Sequence, residues 1–369
     1  MTRTIAHRRT ALRPSRILVA GATAALVLSG CANSGDSDDS SAGSASTGSG
    51  AAQQTVENTT ASGEGCTLES YGMQKVDLKG AIVGFSQSEP DTAAFRAAET
   101  QSIKDEAAKV GVKQLLVTNA NAQLTKQISD IQDMLNQGAQ VLIVAPVNSD
   151  GLDPALAAAK AKGVPVLTID RKVTNASCSD YLAFIGSDFE DQGKRAADAM
   201  NEATDGKANV AVLLGSSGNN VTDLRTSGFE DQVKAEYPDI KIVASQTGDF
   251  DRSKGQSVAE QLLQSNPEID AIYAENDEMG LGAMQAVLSA GKQPGTDVKI
   301  VSIDGTRNAV QAIVDGQYNA VIESNPRFGP LAFSTLTDFM NGEAIPEDII
   351  IADDEYTPEN AESELANAF

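Results

Sequence analysis

The sequence contains no tryptophan and a single histidine, His7. Histidine is the side chain that titrates near neutral pH, the usual base of serine and cysteine triads and the commonest zinc ligand. Its absence after residue 7 removes the most frequent hydrolytic and metalloenzyme mechanisms, so no catalytic residue, metal site or cofactor is expected. Positive charge is also scarce: 28 Lys and Arg stand against 51 Asp and Glu, a formal net charge of −23. Phosphate-backbone binders carry a basic face, which this acidic excess does not provide, and nucleic acid is excluded as a partner. Long apolar runs are missing too. The uncharged stretch 17–28 is too short for a comfortable membrane span, and Ser, Gly and Asp follow it instead of a basic stop-transfer flank.

What is present at the start points to export. Arg3, Arg8, Arg9, Arg13 and Arg16 precede the apolar stretch, the order of a secretory signal, with Sec and twin-arginine routes both open. Leu28-Ser29-Gly30-Cys31 is similar to the lipobox of bacterial lipoproteins, in which the Cys carries lipid and becomes the mature N-terminus. Residues 1–30 are therefore expected to be removed, and Cys31 to anchor the chain to the outer face of the cell membrane. Removal takes away five Arg and no acid, leaving 23 basic against 51 acidic residues, a mature charge of −28. With Cys31 assigned to lipid, Cys66 and Cys178 remain as an even pair in an oxidising compartment, which favours a disulfide over two separate thiols. From residue 32 to about 63 the chain is Ser, Gly, Ala, Asp and Thr with almost no large apolar side chain. Such a composition cannot offset chain entropy, and residues 31–76 are expected to form a flexible tether.

After Asp77 the pattern changes to short β-branched runs alternating with longer stretches of helical period, the mark of parallel sheet with crossover helices. Strands are expected at 81–85, 114–118, 141–145, 166–169, 208–214, 240–245, 271–274, 298–303 and 319–322. The residues left over exceed one doubly wound core, so the fold class is α/β with two doubly wound parallel-sheet lobes joined by a hinge. The first lobe is expected to hold 77–186 plus about 325–350, and the second 187–324 plus about 351–369.

In open α/β sheets ligands bind beyond the carboxyl ends of the strands, and the residues at those ends are unusually polar here. Ser86 and Gln87, Asp170 and Arg171, Asp249 and Phe250, Glu275-Asn276-Asp277, and Asp304-Gly305 each follow an apolar run. Phe95, Arg96 and Glu99 add to them, lying close on the helix after the first strand. Carboxylates, an amide and guanidinium can bond every hydroxyl of a sugar, while an aromatic packs on its C–H face. Taken singly, each has a plainer explanation: Asp304 could be a helix N-cap, Asp170-Arg171 a surface turn pair, Arg96 and Glu99 a solvated helix pair. Their joint placement at one rim is what points to a ligand.

The ordered stretches Val83-Gly84-Phe85-Ser86-Gln87, Phe95-Arg96-Ala97-Ala98-Glu99-Thr100, Ala145-Pro146-Val147, Asp170-Arg171, 246–255, Asn276-Asp277-Glu278-Met279 and Ser302-Ile303-Asp304-Gly305 resemble the type I periplasmic sugar-binding proteins, ribose-binding-like, and among them the galactofuranose-binding members. The resemblance implies that Asp170 and Arg171 bind sugar hydroxyls from the first lobe, and that Arg225, from Arg225-Thr226-Ser227-Gly228-Phe229, joins Phe250, Asn276 and Asp304 in the second. Phe95, Arg96 and Glu99 match an aromatic, an arginine and a glutamate near the first helix of the galactofuranose binders, with Phe95 standing where those members have Trp. Arg96, Arg171 and Arg225 against Glu99, Asp170 and Asp304 sum to zero, which favours a neutral ligand over a sugar acid or phosphate. The function implied is that of a monomeric, lipid-anchored binding protein that closes its lobes on a small neutral sugar and delivers it to the membrane permease of an ABC importer. A sugar-sensing subunit docking on a membrane receptor and a secreted carbohydrate-active enzyme are the alternatives.

Overall fold

A computed structural model describes residues 54–61 and 65–369. The expected signal peptide and Cys31 lie outside these residues. In chain order the first elements are β1 (Val56–Thr60), α1 (Leu68–Tyr71), β2 (Ile82–Gln87), α2 (Ala94–Val110), β3 (Gln114–Asn119), α3 (Leu124–Asn136), β4 (Val141–Val144), α4 (Asp153–Ala161), β5 (Val166–Ile169) and β6 (Phe184–Ser187). Then come α5 (Phe189–Ala203), β7 (Ala208–Leu214), α6 (Asn220–Glu236), β8 (Ile240–Thr247), α7 (Arg252–Ser265), β9 (Ala271–Ala274), α8 (Asp277–Ser289), β10 (Lys299–Asp304), α9 (Arg307–Val314) and β11 (Ala320–Glu323). The chain ends with α10 (Gly329–Asn341), β12 (Asp348–Ile351), β13 (Glu355–Tyr356) and α11 (Ala361–Glu364).

Two sheets form. The first has seven strands in the order β1-β12-β6-β5-β4-β2-β3, and the second six in the order β13-β11-β10-β9-β7-β8. Both are parallel except at one edge, where β1 runs antiparallel to β12 and β13 antiparallel to β11. Successive strand residues face opposite sides, so each sheet is buried on both faces. In the first, Val83, Phe85, Val141, Ile143 and Ile169 pack on one side with Ile103 of α2 and Phe333 and Leu336 of α10. Leu142, Val144 and Val166 pack on the other with Ile131 and Met134 of α3 and Leu156 of α4. Such double burial explains why these strands read as unbroken apolar runs.

The chain passes between the sheets three times, at Asp188, at 324–328 and at 352–354. Helix α10 and strand β12, which follow the second crossing, return to the first lobe. Gly193 of α5 and Gly228 of α6 let those helices touch: a Cβ on Gly193 would lie 2.5 Å from the carbonyl of Arg225, and one on Gly228 2.2 Å from that of Glu190.

The stretch expected as a tether is partly ordered. Within 31–76, β1 pairs with β12, Thr60 donates to Asp348 (2.9 Å), and α1 is capped by Thr67 and Ser70. Cys66 forms a disulfide with Cys178, closing a sequence separation of 112 residues. Every side chain of β1 is exposed. Its order comes from backbone pairing and the nearby cross-link, neither of which a composition lacking large apolar residues reports.

Candidate functional site

The carboxyl ends of both sheets face a crevice between the lobes. Glu89, Ala93, Phe95, Arg96, Asp170 and Arg171 line it from the first lobe, and Val221, Arg225, Phe250, Asn276 and Asp304 from the second.

The first-lobe wall is one buried ionic network. Arg96, at the start of α2, donates from Nε to Glu89 Oε2 (2.9 Å) and from Nη1 to Glu99 Oε2 (2.8 Å) and Asp170 Oδ2 (2.7 Å). Arg171 donates from Nη2 to Glu89 Oε1 (2.7 Å) and from Nη1 to the carbonyls of Pro146 (3.3 Å) and Val147 (3.1 Å). Burial opposes the charge on Glu89, but Arg171 and then Arg96 outweigh it and hold that carboxyl down at about 2. Burial wins at Glu99: it is pushed up to about 7, Arg96 opposing and Asp170 adding. Glu99 Oε2 also accepts from Gln87 (2.8 Å), while Oε1 and Arg171 Nε are buried without a hydrogen-bond partner.

The second-lobe wall is held from beneath. Asp277, the first residue of α8, accepts from Ser302 and from the backbone N–H of Gly305 (3.0 Å) and Thr306 (2.6 Å), fixing the turn that presents Asp304. Asp304 itself has φ of 142°, a region where side chains are strained. Burial pushes its carboxyl well above the usual range, with Arg225 opposing and Asp277 adding. Arg225 Nη1 donates to the carbonyl of Glu275 (2.6 Å) and lies 3.6 Å from Asp304 Oδ1; its Nε donates to Gln192 Oε1 (2.9 Å). Asn276 is the N-cap of α8, its Oδ1 accepting from Met279 N–H (2.9 Å) while its Nδ2 donates to the Phe250 carbonyl (3.4 Å). Gly215 makes room for the Phe250 ring, since a Cβ there would lie 2.1 Å from it. Two more lining residues have positive φ, Asp170 at 63° and Phe250 at 59°. Three lining side chains are thus aimed by backbone that other residues rarely adopt.

Across the mouth, Ser149 N–H donates to the Gly218 carbonyl (2.9 Å), Asn220 N–H to Ser149 Oγ (3.0 Å), and Lys172 N–H to Asn220 Oδ1 (3.0 Å). The Arg171 guanidinium lies over the Phe250 ring at 5.8 Å. The lobes are therefore closed on the crevice.

Of the residues singled out in the sequence, Phe95, Arg96, Asp170, Arg171, Arg225, Phe250, Asn276 and Asp304 lie together on this surface. Glu99 stands behind Arg96 with no exposed surface, and Glu89 occupies the wall instead. Three guanidiniums and the carboxyls of Glu89, Asp170 and Asp304 again sum formally to zero, with burial opposing the charge on Asp304. Glu89 follows β2 by two residues and precedes Pro90, a turn signal that would have drawn it in had the rim been read past Gln87. Asp249 turns outward to pair with Lys254, and Glu275 lies below the floor, accepting from Gly215 N–H (2.7 Å) and Thr226. Asp304 is not an N-cap, since Thr306 holds that position on α9.

Residues 83–344 match the family described as periplasmic binding protein domain. The galactofuranose-binding protein YtfQ of Escherichia coli (strain K12) is 35% identical over 288 residues, 77% of this chain and 90% of that protein. The ribose import binding protein RbsB of Bacillus subtilis (strain 168) is 35% identical over 250 residues, 68% of this chain and 78% of that one. A solved structure of the periplasmic binding protein component of the arabinose ABC transporter from Shewanella sp. ANA-3, bound to alpha and beta-L-arabinofuranose, is similar with a TM-score of 0.74 and 35% identity, covering 77% of this chain and 94% of that one. These relatives are binding proteins, not enzymes. Since the match runs through both lobes and two of the three crossings, the chain belongs to the periplasmic binding protein family.

Proposed function

We propose that this protein captures one neutral monosaccharide, galactofuranose or a related pentose or hexose, and delivers it to the permease of an ABC importer as a monomer tethered by lipid on Cys31. The observation that carries the reading is the facing of two charge-balanced walls, Glu89-Arg96-Asp170-Arg171 and Arg225-Asn276-Asp304, with Phe95 and Phe250 between them. Guanidinium donors and carboxyl acceptors within one small crevice suit hydroxyls that both give and receive, and a formal sum of zero suits a ligand without charge. The furanose ligands named for two of the relatives support a five-membered ring.

Capture follows from closure. Each wall holds only some of the contacts, so a sugar touching both stabilises the closed arrangement relative to the open one, and the lip bonds of Ser149 and Asn220 add to it. A micromolar dissociation constant corresponds to about −8 kcal/mol, within reach of a few charge-assisted hydrogen bonds and one ring stack after ordering costs. Thermal-shift screening against L-arabinose, D-galactose, D-ribose and D-fructose, with calorimetry of each hit, tests the reading. At least one sugar is expected to raise Tm and titrate with one site per chain. A panel without a hit, or D-galacturonate binding more tightly than D-galactose, would overturn it.

A further inference from the structure

Outside the crevice lies the buried side chain of Gln192, in the first turns of α5. It is 1% exposed, and each of its polar atoms is used. Oε1 accepts from Arg225 Nε at 2.9 Å. Nε2 donates to Asp353 Oδ2 at 2.7 Å and to the Glu323 carbonyl at 3.2 Å. These partners are not random. Glu323 is the last residue of β11 before the second crossing, Asp353 is the middle of the third, and Gln192 itself lies four residues after Asp188 of the first. One amide therefore ties the second and third crossings together, from a helix that begins at the first, and holds the arginine that faces the ligand.

We infer that Gln192 is a positioning residue that couples the three-stranded hinge to Arg225, so that the hinge geometry of the closed form and the orientation of this guanidinium are set together. The inference rests on the reading of Arg225 as a sugar contact. An amide suits the task because it offers an acceptor to the guanidinium and a donor to the carboxylate at once, in opposite directions along one side chain. Arg195, one turn further along α5, fixes the same crossing from Nη1 to the Asp353 carbonyl (2.7 Å) and from Nη2 to that of Asp354 (3.0 Å). Asp353 cannot drift independently of α5, and α5 cannot shift on α6 because Gly193 and Gly228 bring their backbones into contact. Rotation of one lobe on the other must change the dihedrals at 352–354 and at 324–328. The Gln192 amide is where that change meets the binding surface.

The test exchanges amide and carboxylate. Gln192→Glu keeps an acceptor for Arg225 but sets it against the Asp353 carboxylate; Asp353→Asn on the same chain returns a donor to that contact. At pH 8, above the value of about 7 to which burial pushes Asp353 against the pull of Gln192 and Ser187, with Glu323 and Arg195 the charged groups facing it, Gln192→Glu is expected to weaken binding of the best sugar of the panel by about tenfold or more. It should also raise the radius of gyration of the unliganded protein measured by X-ray scattering, with Tm within a few degrees of the wild type. Q192E/D353N is expected to return affinity to within about threefold and the scattering to the wild-type curve. Wild-type affinity and scattering in Q192E, or a double variant no better than Q192E, would overturn the coupling. A wild-type chain that binds no sugar overturns the sugar reading alone, and the scattering of the unliganded variants then decides the coupling by itself.

Discussion

Asp304→Gly should give a protein that is harder to melt and poorer at holding sugar. Asp304 sits at φ of 142°, where a side chain costs about 1–3 kcal/mol and glycine costs little. Removing the side chain also removes a carboxyl whose charge is disfavoured by burial, and its loss forfeits only the 3.6 Å approach of Arg225, longer than a hydrogen bond. Against these gains, glycine adds about 0.5–1 kcal/mol of unfolded-state entropy. The net is a stabilisation centred on about 1 kcal/mol, a rise in Tm of about 2–4 °C for a chain with lobes of this size. Sugar affinity moves the other way, by about 1.5–3 kcal/mol for one charge-assisted bond, at least tenfold in Kd. Calorimetric melting of wild type, Asp304→Ala and Asp304→Gly, each with and without the best sugar, isolates the backbone term because Ala and Gly lose the same carboxylate. Asp304→Gly melting no higher than Asp304→Ala would refute the strain; either variant binding as tightly as wild type would refute the site.

Three more outcomes follow from the same contacts. Cys178→Ser should lower stability by about 2–5 kcal/mol, because the Cys66–Cys178 bond closes a separation of 112 residues, and denaturant melts with and without reductant would measure it. Phe369→Ala should weaken sugar binding about threefold, since its ring packs edge-on against Phe95 at 5.9 Å while its backbone is tied to Gly305 and Arg307; Phe95→Trp should recover the loss in that background and be harmful in the wild type, as calorimetry would read. Glu275 is pushed up to about 7 by burial, with Thr226 and Gly215 opposing. A raised carboxyl makes the fold bind more protons than the unfolded chain, so this contribution is full below about pH 4 and is lost as pH rises through 7; Tm measured from pH 5 to 8 should fall less in Glu275→Gln than in wild type.

Of the nine strands expected from sequence, β2, β4, β5, β7, β9, β10 and β11 are apolar runs of four to seven residues that the fold buries almost completely, while β3 and β8 are only partly covered. Those that escaped are of another kind. β1 exposes every side chain, β13 has two residues, β6 ends in Gly186-Ser187, and β12 is a short run close behind Pro346. β1 and β12 in particular depend on partners far away in the chain: β1 pairs with β12, which arrives after the second crossing and also joins β6 beside the nearby β5. Pairing between distant segments leaves no local periodicity to read.

The site shows the same division at finer grain. Asp170, Arg171, Asn276 and Asp304 were legible because strand ends are fixed by the apolar runs before them, and the chemistry of a residue at a strand end is visible in its letter. Glu89 and Gln192 were not, because their importance lies in what they touch, two arginines and two hinge crossings; Asp277 is visible at its strand end, but its support of the Gly305 turn is not. The positive φ of Asp170, Phe250 and Asp304 was equally hidden, since none is glycine. Local preference argues for glycine at each of these places, and a side chain with the chemistry to meet a hydroxyl stands there instead. Where a sequence departs from its own backbone's preference at three points around one crevice, the compensating gain must come from what the crevice holds. Asp277 accepting from the turn and Gly215 making room for Phe250 are how the fold absorbs that strain without the ligand.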